Sequence, residues 1–256
     1  MVAFIPAHFP ERFPWVAEAV VSAQAADRVV VIASYPQPLK AARWRNVEWV
    51  HDASLSTPGS KYREAVRRTR RGDVLGALDD DDLWLPEKVP MVRSVFLGPG
   101  ERVDYFAHAA ATVREGVPSG ILGPQNANGT MTVVRRDLLT SARVKPFFDR
   151  LEWGCEPFLR YAPLAADARA ELTNTVLAHV RYHDANSSHP PSGYRRFAEW
   201  QRSSSERYLA AWKLIEEMTR PLADRPPEVE EKIAEFTRLQ ELSAIGRSAN
   251  YLLSQK

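Results

Sequence analysis

The chain opens on a short apolar run, Val2-Ala3-Phe4-Ile5, stopped by Pro6, which reads as a buried strand. From Phe13 to Gln24, the residues Phe13, Val16, Val20 and Val21 fall at helical spacing, with Pro14 tolerated in the first turn. Val29-Val30-Val31-Ile32 is a β-branched run of the kind found in strands buried on both faces. Val47 to Val50 predicts a third strand, Ser60 to Arg71 a helix stopped by Gly72, and Val74 to Leu78 a fourth strand. Strands alternating with helices at this spacing predict an α/β fold with a mostly parallel sheet. In such sheets ligands bind beyond the carboxyl ends of the strands, here after Ile5, Ile32, Val50 and Leu78.

The middle of the chain is less regular. Tyr105 to Val113 and Thr130 to Val134 read as strands, separated by a Gly/Pro/Asn-rich loop from Gly120 to Gly129. Beyond Ser192, Phe197, Trp200, Tyr208, Trp212 and Ile215 mark one amphipathic helix, and Val229, Ile233, Phe236 and Leu239 a second. Pro221, Pro226 and Pro227 break the chain between them.

Composition narrows the classes. With 45% hydrophobic and 26% charged residues among 256, the chain is neither disordered nor fibrous. Its 34 Lys and Arg against 32 Asp and Glu argue against nucleic acid as a partner. The single cysteine, Cys155, excludes an internal disulfide. No stretch approaches a membrane span, and no signal peptide is expected at the N-terminus, so a cytoplasmic location is expected. The run Arg67-Arg68-Thr69-Arg70-Arg71 spreads around a helix and reads as a solvated face.

The most informative segment is Leu78-Asp79-Asp80-Asp81-Asp82-Leu83-Trp84-Leu85-Pro86-Glu87-Lys88. Four adjacent carboxylates at a strand end repel one another unless a cation compensates them. A hard divalent ion, Mg²⁺ or Mn²⁺, takes oxygen ligands of this kind and bridges to substrate phosphates. Capping of the helix beginning near Pro86 accounts for one aspartate or two, not for four.

The stretch from Gly72 through Lys88 resembles the signature of family 2 glycosyltransferases of the GT-A fold, nucleotide-diphospho-sugar transferases. Other segments fall in the order the resemblance implies. Phe4 to His8 resembles the first strand and its nucleotide-binding turn, and Thr57 to Tyr62 the Gly-containing segment with a basic residue. Met131 to Arg136 resembles the strand past the acceptor site, and Val180 to Ser188 the late Arg–His–Ser segment. The resemblance spans residues 2 to 190. It implies a GT-A domain over 1–190, with a nucleotide-binding half at 1–98 and an acceptor half at 99–190, followed by a helical extension over 191–256.

By the same resemblance, Asp79 and Asp81 are the aspartates of the D-x-D motif. Asp81 is expected to ligate Mn²⁺ or Mg²⁺, and Asp79 or Asp80 to hold the ribose or assist at the metal. His8 and Lys61 are expected to contact the nucleotide. His183 either completes the metal's coordination or orders its loop. The base for an inverting transfer is expected at Glu156, with Glu152 the competitor. The family's acidic residues after the second strand are missing from Ala33-Ser34-Tyr35, and Asp52 is the substitute expected to read the base, which leaves UDP, GDP and dTDP open.

The expected activity is therefore metal-dependent transfer of a sugar from a nucleoside diphosphate sugar to an acceptor hydroxyl. The acceptor (a glycan, a lipid-linked or a small molecule) is not read from the residues. A nucleotidyltransferase is a second class, but Pro6-Ala7-His8-Phe9-Pro10 is not its Gly-rich basic loop. A non-catalytic module of the same fold, binding nucleotide-sugar or a partner, is the third. The C-terminal helices leave two further uses open, peripheral contact with the inner face of a membrane and a homodimer.

Overall fold

The computed structural model describes residues 1–182 and 194–254; the side chains of 42–43, 194–201 and 242–254 are outside that description. The strands are β1 (Val2–Ala7), β2 (Arg28–Ala33), β3 (Val47–His51), β4 (Val74–Ala77), β5 (Leu83–Trp84), β6 (Tyr105–Arg114), β7 (Val117–Leu122), β8 (Thr132–Arg135) and β9 (Ala170–Tyr182). The helices are α1 (Phe13–Ser22), α2 (Pro58–Arg67), α3 (Lys88–Leu97), α4 (Arg136–Leu139), α5 (Lys145–Phe148), α6 (Cys155–Ala166), α7 (Tyr194–Thr219) and α8 (Pro227–Ser254).

The strands form one sheet in the order β3-β2-β1-β4-β8-β6-β9-β5, with β7 paired to β6. β1 to β4 are mutually parallel, as expected. Beyond β4 the sheet is mixed: β8 runs antiparallel to both β4 and β6, and β9 returns parallel to β6. β1 shows why its sequence carries no polar alternation. Val2 and Phe4 enter a core under α2, where Tyr62, Ala65 and Val66 pack, while Ala3, Ile5 and Ala7 enter the opposite core with Val16, Ala19 and Val20 of α1. Both faces are covered, so every residue of β1 is apolar and buried.

Residues 120–122, expected in a loop, belong to the exposed hairpin strand β7. α7 and α8 form as the apolar spacing predicts, and both share the main core: Trp212, Ile215 and Met218 of α7 and Val229 of α8 pack with Phe158 and Leu159 of α6. Trp212 meets Tyr161 edge-on at 5.7 Å, and Glu228 accepts from Arg160 at 2.5 Å and Tyr161 at 2.6 Å. Among the described residues, no helix is long and apolar enough to cross a membrane.

Candidate functional site

β4 is a buried strand whose tip is held by a hydrogen bond from Leu78 N–H to the Phe4 carbonyl, 2.9 Å. Immediately beyond it, Asp79 to Asp82 form a tight turn, with Asp82 N–H donating to Asp79 O at 3.1 Å. Asp80, Asp81 and Asp82 are only 4%, 8% and 2% exposed. Burial, reinforced by the neighbouring carboxylates, raises Asp80 to about 6 and Asp82 to about 7, and carries Asp79 well above 3.8.

Part of this charge is compensated within the chain. The Arg12 guanidinium reaches Asp80 at 3.1 Å and Asp81 at 3.4 Å, and His8 N–H donates to Asp80 at 3.4 Å. Asp82 is a tie between elements: its oxygens accept from the Thr130 hydroxyl at 2.6 Å and from Arg181 N–H at 2.8 Å, joining the β4 tip to the turn before β8 and to β9. Arg181 Nε also donates to the Asp81 carbonyl. Asp79 differs from its neighbours. Its N–H donates to Thr130 Oγ1 at 3.0 Å, while its carboxylate accepts no hydrogen bond among the described residues.

The turn opens on a cleft of about 460 Å³ lined by all four aspartates. His8 and Arg12 stand on one wall, and Asn126, Asn128, Arg181 and Tyr182 on others. Glu156, in the first turn of α6, lines the cleft with Tyr208 of α7. Desolvation raises the Glu156 carboxyl above 4.5, which makes it a stronger proton acceptor when ionised. Gly154 fixes this corner: its φ of +66° is left-handed, and a Cβ there would lie 2.6 Å from Ala211 Cβ. Glycine thus allows α6 to start against α7 with Glu156 turned into the cleft. His8 is brought to about 3 by burial and by the charges of Lys61 and Arg12, so its ring is neutral at pH 7.

Three expected residues stand outside the cleft. Lys61 is fully buried, and its ammonium donates to Ala7 O at 2.8 Å, Ser34 Oγ at 2.7 Å and Ile32 O at 3.4 Å. It ties the ends of β1 and β2 together and does not line the cleft. Asp52 is exposed and accepts from Ser54 N–H at 2.9 Å, forming a local turn. Glu152 is exposed, paired with Arg63 at 2.6 Å and bonded by the Thr57 hydroxyl. The neighbouring segment is structural too: Gly59 N–H donates to Glu152 O at 2.9 Å, and a Cβ on Gly59 would lie 2.0 Å from Leu151 O. His183 lies outside the described residues.

Arg12 and Tyr208 were not anticipated. Arg12 lies in a short turn at Pro10–Arg12 just past the β1 tip, where the strand-end rule directs attention, and a search there for cations finds it. Tyr208 carried no such signal, because its approach to Glu156 is created by the docking of α7 on α6.

Among the described residues, no group of three or more His, Cys, Asp or Glu forms a ready metal cage. A hard cation at a diphosphate site needs only one or two carboxylates, the remaining ligands being water and phosphate oxygens. Asp79, whose carboxylate accepts no hydrogen bond among the described residues, and Asp81 both line the cleft and offer oxygens of that kind.

No family model matches the sequence, and no curated protein sequence matches it. Solved structures do. TarS of S. aureus, residues 1–349, superposes with a TM-score of 0.53 at 14% identity over 93% of this chain and 71% of that one. GalNAc-T7, solved with UDP, GalNAc and Mn²⁺, gives 0.53 at 13% identity over 98% and 57%. Glucosyl-3-phosphoglycerate synthase of Mycobacterium tuberculosis, solved with Mn²⁺, UDP and phosphoglyceric acid, gives 0.51 at 15% identity over 84% and 78%. The chain spans 42% of the longer TarS structure. At these identities the likeness shows the fold alone: the α/β fold expected from the sequence is shared with the TarS, GalNAc-T7 and glucosyl-3-phosphoglycerate synthase structures.

Proposed function

We propose that the chain is a metal-dependent glycosyltransferase, moving a sugar from a nucleoside diphosphate sugar to an acceptor hydroxyl with inversion. One observation carries the reading: a run of four aspartates, three of them buried, at the tip of a parallel strand lines the same cleft as a further carboxylate, Glu156. On this reading residues 1–98 bind the nucleotide, 99–190 the acceptor, and the extension over 191–256 completes the acceptor wall through Tyr208.

Asp79 and Asp81 would hold Mn²⁺ or Mg²⁺; when bound, the cation neutralises the diphosphate leaving group. His8 borders the nucleotide as a neutral ring. Arg12 holds Asp80 and Asp81 in place and sets the positive potential of the wall. Glu156 takes the proton of the acceptor hydroxyl as its oxygen attacks the anomeric carbon. The bond from that carbon to the diphosphate oxygen breaks, and its electron pair leaves with the diphosphate. Glu156 favours this role over Glu152 because Glu152 is committed to Arg63 and Thr57 outside the cleft.

The test is nucleotide release from a panel of UDP-, GDP- and dTDP-sugars with Mn²⁺ or with chelator. Metal-dependent release from one donor, lost in Asp81→Ala with the fold intact, supports the reading. Release from none of them overturns it.

A further inference from the structure

A second cavity, of about 360 Å³, is walled by α2, α4 and α5 at the margin of the core that holds Val2 and Phe4. It shares no lining residue with the acidic cleft. Its floor is apolar and closed: Val66, Leu139 and Phe148 are 5%, 0% and 2% exposed. Its walls carry four cations, Arg63, Arg67, Arg136 and Lys145, against two carboxylates, Glu64 and Asp149.

The carboxylates are already engaged. Glu64 pairs with Arg68 at 2.7 Å and Arg67 at 3.1 Å, and Asp149 pairs with Lys145. Arg63 is held by Glu152. Arg136 is the exception: it is half-buried and forms no ion pair among the described residues. Among the described residues its side chain makes one hydrogen bond, from Nε to the Val66 carbonyl at 3.4 Å. A half-buried guanidinium with no carboxylate partner retains a demand for an anion, and its planar fork matches the oxygens of a phosphate. A concave site of this size above a hydrocarbon floor also rewards an apolar group on the same ligand.

We propose that this cavity is a binding site for an anionic amphiphile, a phosphate monoester carrying an apolar substituent, with Arg136 receiving the phosphate and the Val66–Leu139–Phe148 floor receiving the substituent. The site lies away from the cleft, so its occupation does not require the transferase chemistry.

The test is calorimetric titration of the full chain with phenyl phosphate and with inorganic phosphate, beside co-sedimentation with phosphatidylcholine vesicles with and without phosphatidic acid. The first pair probes a soluble ester, the second a lipid headgroup. Two variants act on the cavity in different ways: Arg136→Gln removes the charge, and Thr140→Trp fills the space from the rim. Loss of one charge-assisted contact corresponds to about a tenfold weakening. Binding of phenyl phosphate or of phosphatidic acid vesicles, weakened about tenfold or more by either variant that retains its unliganded melting temperature, supports the site and names its source. Phosphate binding as tight as that of phenyl phosphate, binding indifferent to both variants, or no binding of any probe overturns it.

Discussion

Replacing Asp80 by Asn isolates the charge strain stored in the acidic turn. Asp80 is 4% exposed, and its carboxyl is carried from 3.8 to about 6, first by desolvation and then by Asp81, against the opposing pull of Arg12. A carboxylate whose affinity for protons is higher in the folded state disfavours folding once it ionises. The penalty is absent below the unfolded value of 3.8 and complete above the folded value of about 6. Its full size is about 3 kcal/mol, at about 1.4 kcal/mol for each tenfold change in proton affinity. Most of it, about 2.5 kcal/mol, develops between pH 4 and pH 8. Asn cannot ionise, so Asp80→Asn is expected to gain stability relative to the parent by about that amount across this range. The altered hydrogen bonds to Arg12 and His8 contribute a constant offset at both pH values. Urea denaturation of both proteins at pH 4 and pH 8, in chelator, measures the difference. A stability gap that stays flat, or that moves against the variant as pH rises, refutes the picture of an undercompensated turn.

Three further outcomes follow from the same geometry. Glu156→Gln is expected to lower transfer by about 10²-fold or more, the usual scale for a general base, while leaving donor affinity within a few-fold in a nucleotide titration. Lys61→Met is expected to destabilise the fold by about 2–3 kcal/mol, because the carbonyls of Ala7 and Ile32 lose a charged donor, with donor KM little changed in the folded fraction. Gly154→Ala forces a left-handed φ of +66° and a 2.6 Å contact with Ala211 Cβ. It is expected to cost about 2 kcal/mol or more in denaturant unfolding and to displace Glu156, lowering activity disproportionately.

β1, β2 and β4 were legible because strands buried on both faces leave unbroken apolar runs, and Val29 to Ile32 could hardly be anything else, whereas the edge strand β3 showed only through Val47, Trp49 and Val50. β9 was not, because its first half, Ala170 to Thr175, is polar and largely solvent-facing, and its place in the sheet is set by pairing with β6. α6 was obscured by Pro157 and Pro163, the latter inside the helix. In the site, the acidic run announces itself, since four adjacent carboxylates have no inexpensive structural use. Lys61 was read by its company in the Thr57 to Tyr62 segment. Only tertiary structure shows its ammonium inserted between the ends of two strands. Arg12, nearly seventy positions before its aspartate partners, could be connected to them only by the parallel pairing of β1 with β4.

The central claim is that the Asp79–Asp82 turn awaits a divalent cation together with a diphosphate. Calorimetric titration of Mn²⁺ into the protein, alone and with saturating UDP, GDP or dTDP, tests it most directly, with Asp81→Asn beside the parent. The account predicts binding that one nucleotide tightens at least tenfold, lost in the variant. Mn²⁺ uptake indifferent to every nucleotide, or equal in Asp81→Asn, contradicts it.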